Sequence, residues 1–177
     1  MRTLTLIATL FFAVSLYAQQ PAAKDSKTED AMKDCPMHAQ HMKASDVDKR
    51  GDVGMGFSHE KTAHHFLLAA DGGSIEAFAD SATDKESIDA IRMHMRHIAM
   101  MFKQGDFSIP MFVHDQTPPG VSVMKAQKAD ISYKYEELPL GARLVIKTAN
   151  QDALKAVQQF LQFQIKEHRT GDSSAAH

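Results

Sequence analysis

The chain has 177 residues, 44% hydrophobic and 24% charged, with a formal net charge of -2 at pH 7. That length buries one sizeable core and is too short for two full domains, and the near balance of charge excludes a field strong enough to gather nucleic acid or anionic lipid. The compositional excess lies elsewhere: ten His and eleven Met accompany one Cys and no Trp, and imidazole and thioether are borderline and soft metal ligands.

At the N-terminus Arg2 precedes an apolar run from Leu4 to Leu16, and Ala18 is a small residue placed for cleavage. This reads as a secretory signal peptide over residues 1–18, because a spanning helix needs roughly 20 apolar residues and this run is shorter. The expectation is a periplasmic or secreted protein, soluble after cleavage, with neither a membrane nor a nucleic acid as partner. Residues 19–56 read as a flexible tether, rich in Lys, Asp, Ser, Ala and Gln and ending in Gly51, Gly54 and Gly56; such a composition buries too little apolar area to offset the entropy of ordering. Within it Cys35, Met37, His38, His41 and Met42 place one thiol, two thioethers and two imidazoles in a short span.

Cys35-Pro36-Met37-His38 resembles the core of the short heavy-metal-binding segments found at the ends of bacterial copper and silver transport and efflux proteins. Ala39 stands where that pattern continues with Pro, and Lys33-Asp34 where it has aromatic and Thr residues. The resemblance implies contact with a soft metal, and with a metal transporter or efflux protein as partner, and implies nothing about the rest of the chain. The ligand types themselves favour Cu(I) through sulfur, while imidazole also accepts Cu(II) and Zn(II).

A folded domain is expected over 57–172, with 173–177 a disordered tail. His64 to Ala70 and Ile75 to Ala79 flank a Gly-containing turn, which is a hairpin signature. Asp84 to Lys103 carries Ile88, Ile91, Met95, Ile98 and Phe102 at spacings of three and four, an amphipathic helix ended by Gly105. Ile109 to His114 is a candidate extra strand, and a short helix is expected around Val121 to Ala129. The order then recurs: Ile131 to Tyr135 alternates, Leu138 to Gly141 turns, Arg143 to Thr148 returns, and Asn150 caps a helix to about His168. An offset of 66 aligns Ile88 with Leu154, Ile91 with Val157 and Met95 with Leu161. The expected fold is α+β, a β-β-α unit occurring twice, with an antiparallel sheet covered by helices on one face.

That offset also aligns His94 and His97 with Phe160 and Phe163, so these two imidazoles are expected on a face that the second unit covers with aromatic rings. Met93, His97 and Met101 follow at spacings of four, a Met and His ridge beside the core stripe. Two imidazoles three residues apart can chelate one ion but need further ligands. His64 is the better candidate of the His64-His65 pair if the helices cover the Phe66 face, and His114 is another, with the carboxylate of Asp115 beside it to orient its second nitrogen. His168 ends the second helix, where a positive charge complements the dipole. Each of these histidines also has an ordinary reading as a packing residue, and Met is a routine core filler.

Catalytic signatures are absent: the chain holds no G-x-S-x-G, no H-E-x-x-H and no Gly-rich phosphate loop. Whether it is an enzyme stays open. Three readings remain: an exported copper-binding or copper-homeostasis protein; a haem-binding protein or small His-dependent enzyme, haem or zinc being the other cofactors open to it; and an interaction module, homodimeric or otherwise, with a Met-rich interface.

Overall fold

The computed structural model describes the backbone of residues 36–176 and the side chains of residues 43–176. In chain order the elements are α1 (Pro36–Met55), a 3-10 turn, β1 (Thr62–Ala69), β2 (Gly72–Ala79), α2 (Lys85–Gln104), α3 (Ser108–His114), α4 (Val121–Ala126), a second 3-10 turn, β3 (Ile131–Leu138), β4 (Gly141–Thr148) and α5 (Gln151–His168). The fold is α+β, as the hydrophobic pattern indicates, with all strand pairs antiparallel in the order β1-β2-β4-β3.

The order strand, strand, helix occurs twice. Thr62 and Ile131 open the hairpins 69 residues apart, whereas Lys85 and Gln151 open the helices 66 apart, because a shorter loop joins β4 to α5. At the centre of the sheet Ile75 pairs with Leu144, its own counterpart at that spacing of 69. The helices are exchanged over the sheet: α2 lies on β3 and β4, and α5 on β1. Counterpart side chains secure this exchange. Arg92 of α2 donates to the carbonyl oxygens of Leu138 and Gly141 at the β3–β4 turn, and Gln158 of α5, 66 residues on, donates to the Ala69 carbonyl beside the β1–β2 turn.

Local chemistry sets the helix ends. The carboxylate of Asp84 accepts from the Ser87 amide at 3.0 Å, and Asn150 accepts from the amides of Asp152 and Ala153, each meeting donors that the first helical turn cannot satisfy internally. The core lies between sheet and helices, with Ile91, Leu144, Ile146, Val157 and Leu161 fully buried; truncating one such side chain to Ala typically costs about 2–5 kcal/mol.

Two expectations fail in the connecting segments. Pro36–Met55 is a helix, so the flexible-tether reading of residues 19–56 does not hold there. Its buried side is Val47 and Gly51, with Gly54 one turn further on; a Cβ on Gly54 would stand 3.2 Å from Val113 and 3.4 Å from the Phe112 ring. The missing side chain lets α1 lie against α3, and Arg50 donates to the Val113 carbonyl at 2.8 Å. Ile109 to His114 belongs to α3 and is not a strand. Pro110 sits in the first turn, where its missing N–H costs nothing, and the Asp106 carboxylate accepts from the Ser108 amide at 2.8 Å. The end of the chain is also more engaged than a free tail: Gln162 donates to the Ser174 carbonyl, and Asp172 accepts from the Phe66 amide.

Candidate functional site

Neighbouring elements each send an imidazole to one place. His64 comes from β1, His94 from α2, His114 from the end of α3 and His168 from the end of α5, and together with Met55, Met95, Gln164 and the rings of Phe66, Phe102 and Phe160 they line a cavity of about 60 Å³. Strand alternation puts His64 on the helix-covered face with Phe66 and Leu68. His65 faces the other way, and its Nδ1–H donates to the Asp172 carboxylate at 2.9 Å.

The rings are close. His114 and His168 centre 5.1 Å apart in an edge arrangement, and His64 and His168 are stacked at 6.1 Å. Phe57 stacks on His64 and meets His94 edge-on, each at 5.6 Å, closing that side. Three imidazoles holding one ion at about 2 Å per nitrogen have ring centres about 5–5.5 Å apart; the His114 and His168 pair has that spacing, and His64 stands farther from His168. Among the described residues, however, no three His, Cys, Asp or Glu side chains already converge as a metal site; ring rotations are needed to direct the nitrogens inward.

Burial dominates the electrostatics. It pushes the pKa of His64 and His94 down to about 4 and that of His168 down to about 3, and lowers that of His114, with neighbouring imidazoles adding to the first three. All four rings are therefore neutral at pH 7, the state in which imidazole binds metal. No carboxylate lines the cavity.

His114 is the most constrained. It is 2% exposed, and its Nε2 lies 2.8 Å from Oε1 of Gln164. With the amide oxygen turned toward the ring, Nε2 carries the proton and Nδ1 the lone pair; Nε2 of Gln164 is likewise buried with no partner among the described residues. Among the described residues that Nδ1 has no hydrogen-bond partner. Asp115, the neighbour expected to orient this ring, instead ends α3 in a left-handed conformation; Gln164 takes the orienting role.

The other candidates separate. His94 reaches the cavity, whereas His97 is exposed beside Met93 and Met100, and the two share only an open groove next to the cavity. His168 is not a charged residue at the helix end, since burial keeps it neutral. Cys35 lies outside the described residues, and Met37, His38, His41 and Met42 fall within α1 at positions whose side chains are also outside them, as is the signal-peptide segment.

His168 and Gln164 were missed by sequence reasoning, although a signal for them exists. The offset of 66 aligns His168 with Phe102 and Gln164 with Ile98, both buried core residues. The offset of 69 aligns His64 with Tyr133. Tyr133, on the other edge strand, meets Phe102 edge-on at 5.9 Å, so the His64 and His168 pair repeats in imidazole what these two carbocyclic rings do.

No protein-family model matches this chain, and neither a curated protein nor a solved structure is significantly similar to it. Among the described residues no helix is long and apolar enough to cross a membrane.

Proposed function

We propose that this chain is an exported soft-metal-binding protein and that its folded domain holds copper, as Cu(I), among His64, His114 and His168. The observation that carries this reading is the bare Nδ1 of His114, buried and oriented through Gln164 in a cavity where every other titratable side chain is also a neutral imidazole. A buried acceptor without a partner typically costs about 1–3 kcal/mol, and a bound cation removes that cost while using the lone pair. Charge selects the ion. Desolvating a cation becomes steeply harder with its charge, and a lining of imidazoles and the thioethers of Met55 and Met95 supplies no anion to offset a divalent one. Thioether and imidazole together suit Cu(I).

Haem fits the cavity poorly, since sites for ligands of that size occupy about 300–1,000 Å³ and this one is about 60 Å³. Export rests on the pattern of residues 1–18, and the N-terminal Cys35 segment is a second place for the same metal. Competition for Cu(I) against a chromogenic chelator, using untagged protein carrying Cys35→Ser to remove the N-terminal thiol, tests the cavity through its own substitutions. One tightly held equivalent is expected, weakened at least about a hundredfold by His114→Phe with His168→Phe, as loss of two ligands implies. Equal affinity with and without those substitutions rejects the cavity as the site.

A further inference from the structure

An open groove of about 440 Å³ lies beside the cavity, lined by Met55, Met93, His94, Arg96, His97 and Met100. Two of these, Met55 and His94, also line the cavity, so one pair of donors faces both spaces. Met93, His97 and Met100 follow at spacings of four and three on α2, which places them on one face. Met93 is 70% and Met100 53% exposed. The core stripe of α2, from Ile88 to Phe102, is filled by other residues, so packing does not account for two exposed thioethers flanking an imidazole. Arg96 is the one cation in the groove, and it is turned toward the sheet: its guanidinium donates to Glu137 at 2.9 Å and stands 5.0 Å over the Tyr135 ring.

We propose that this groove is a receiving site for a soft monovalent cation, which Met93, His97 and Met100 accept from an external donor and Met55 and His94 pass inward to the cavity. The inference rests on the reading of the cavity as a metal site. Transfer is ligand exchange. A bond from the ion to an inner thioether or imidazole forms as one to an outer group breaks, the ion stays at charge +1, and thioether sulfur and the unprotonated imidazole nitrogen exchange without a proton transfer step. Exposed thioethers are soft enough to capture the ion and weak enough to release it, and an ion held in the groove meets the cavity at the high effective concentration of a tethered ligand.

The test is stopped-flow transfer of Cu(I) from its bicinchoninate complex to untagged Cys35→Ser protein, with and without Met93→Leu, His97→Leu and Met100→Leu combined. All three positions are exposed, and a thermal melt of each protein establishes equal folding. The triple variant is expected to take up copper about tenfold more slowly or worse yet reach the same final occupancy, while His168→Phe keeps the fast first phase and loses final occupancy. An unchanged rate overturns the groove proposal and leaves the cavity reading standing. A triple variant that loses final occupancy also overturns it, because the groove is then the holding site. No uptake by the Cys35→Ser parent defeats both.

Discussion

A bare imidazole nitrogen inside a protein raises the free energy of the folded state, and His114 shows how the surrounding residues keep it that way. Gln164 fixes the tautomer, Phe163 packs edge-on at 4.9 Å, and burial keeps the ring uncharged. His168 permits a cleaner substitution, because its counterpart Phe102 shows that a phenyl ring suits the same position on the other helix. His168→Phe is expected to leave the melting temperature of the metal-free protein equal or higher, since an imidazole held neutral by burial is exchanged for a ring with no polar atom to desolvate. A marked fall in melting temperature would assign His168 a structural role instead. The pH dependence follows from the same burial. His64, His94 and His168 have folded pKa values of about 4, 4 and 3 against an ordinary 6.5, so below pH 6.5 the unfolded chain binds protons that the folded one does not. Their contribution is fully present above pH 6.5 and is lost as pH falls toward 4, by up to about 1.4 kcal/mol per histidine for each unit. Urea midpoints of the metal-free protein should therefore drop steeply between pH 7 and pH 5, and replacing His168 by Phe should make that drop shallower. Equal slopes for the two proteins would contradict the neutral buried state.

Both hairpins and the two long helices that follow them were legible in the sequence because their side chains alternate or recur with the period of the element, and Asp84 and Asn150 announce the starts of α2 and α5. What was not legible is instructive in physical detail. The inward side of α1 is Val47 and Gly51, with the half-buried Gly54 a turn further on; one valine gives little apolar signal, and glycine in a polar segment reads as linker when here it lets two helices approach. Isoleucine, phenylalanine and valine in α3 favour a strand locally, yet both central strands are already paired on each side and the Asp106 carboxylate starts a helical turn. Of the residues that line the cavity, His64, His94 and His114 were singled out in the sequence, but the buried state of His168 required comparing it with Phe102 and not with an average helix end. A direct check on α1 is Gly54→Leu. The added side chain meets Val113 and Phe112, and overpacking of this kind costs about 1–3 kcal/mol. The substitution should lower the melting temperature and loosen Met55 from the cavity; full stability would mean that α1 does not lie on α3.

At the scale of the molecule, the exchanged helices make the sheet and both helices one cooperative body, while α1 closes the cavity from outside that repeat. Removing residues 1–56 deletes Val47, Arg50 and Met55, and so uncovers α3 and opens the cavity wall. The remaining chain is expected to unfold cooperatively, because both hairpins, α2 and α5 lie beyond the cut, but at a lower temperature and with weaker Cu(I) binding. A truncated protein as stable as the parent would show that α1 contributes nothing to the core. The groove, the cavity and the N-terminal Cys35 segment would all place soft ligands along one short chain, and the central claim of the copper proposal is which atoms would hold the ion at rest. X-ray absorption at the copper edge of Cu(I)-loaded Cys35→Ser protein answers it most directly. Nitrogen ligands at about 2 Å with imidazole scattering beyond them, lost on His114→Phe with His168→Phe, are the predicted result; a sulfur-only shell unchanged by those substitutions would contradict the assignment.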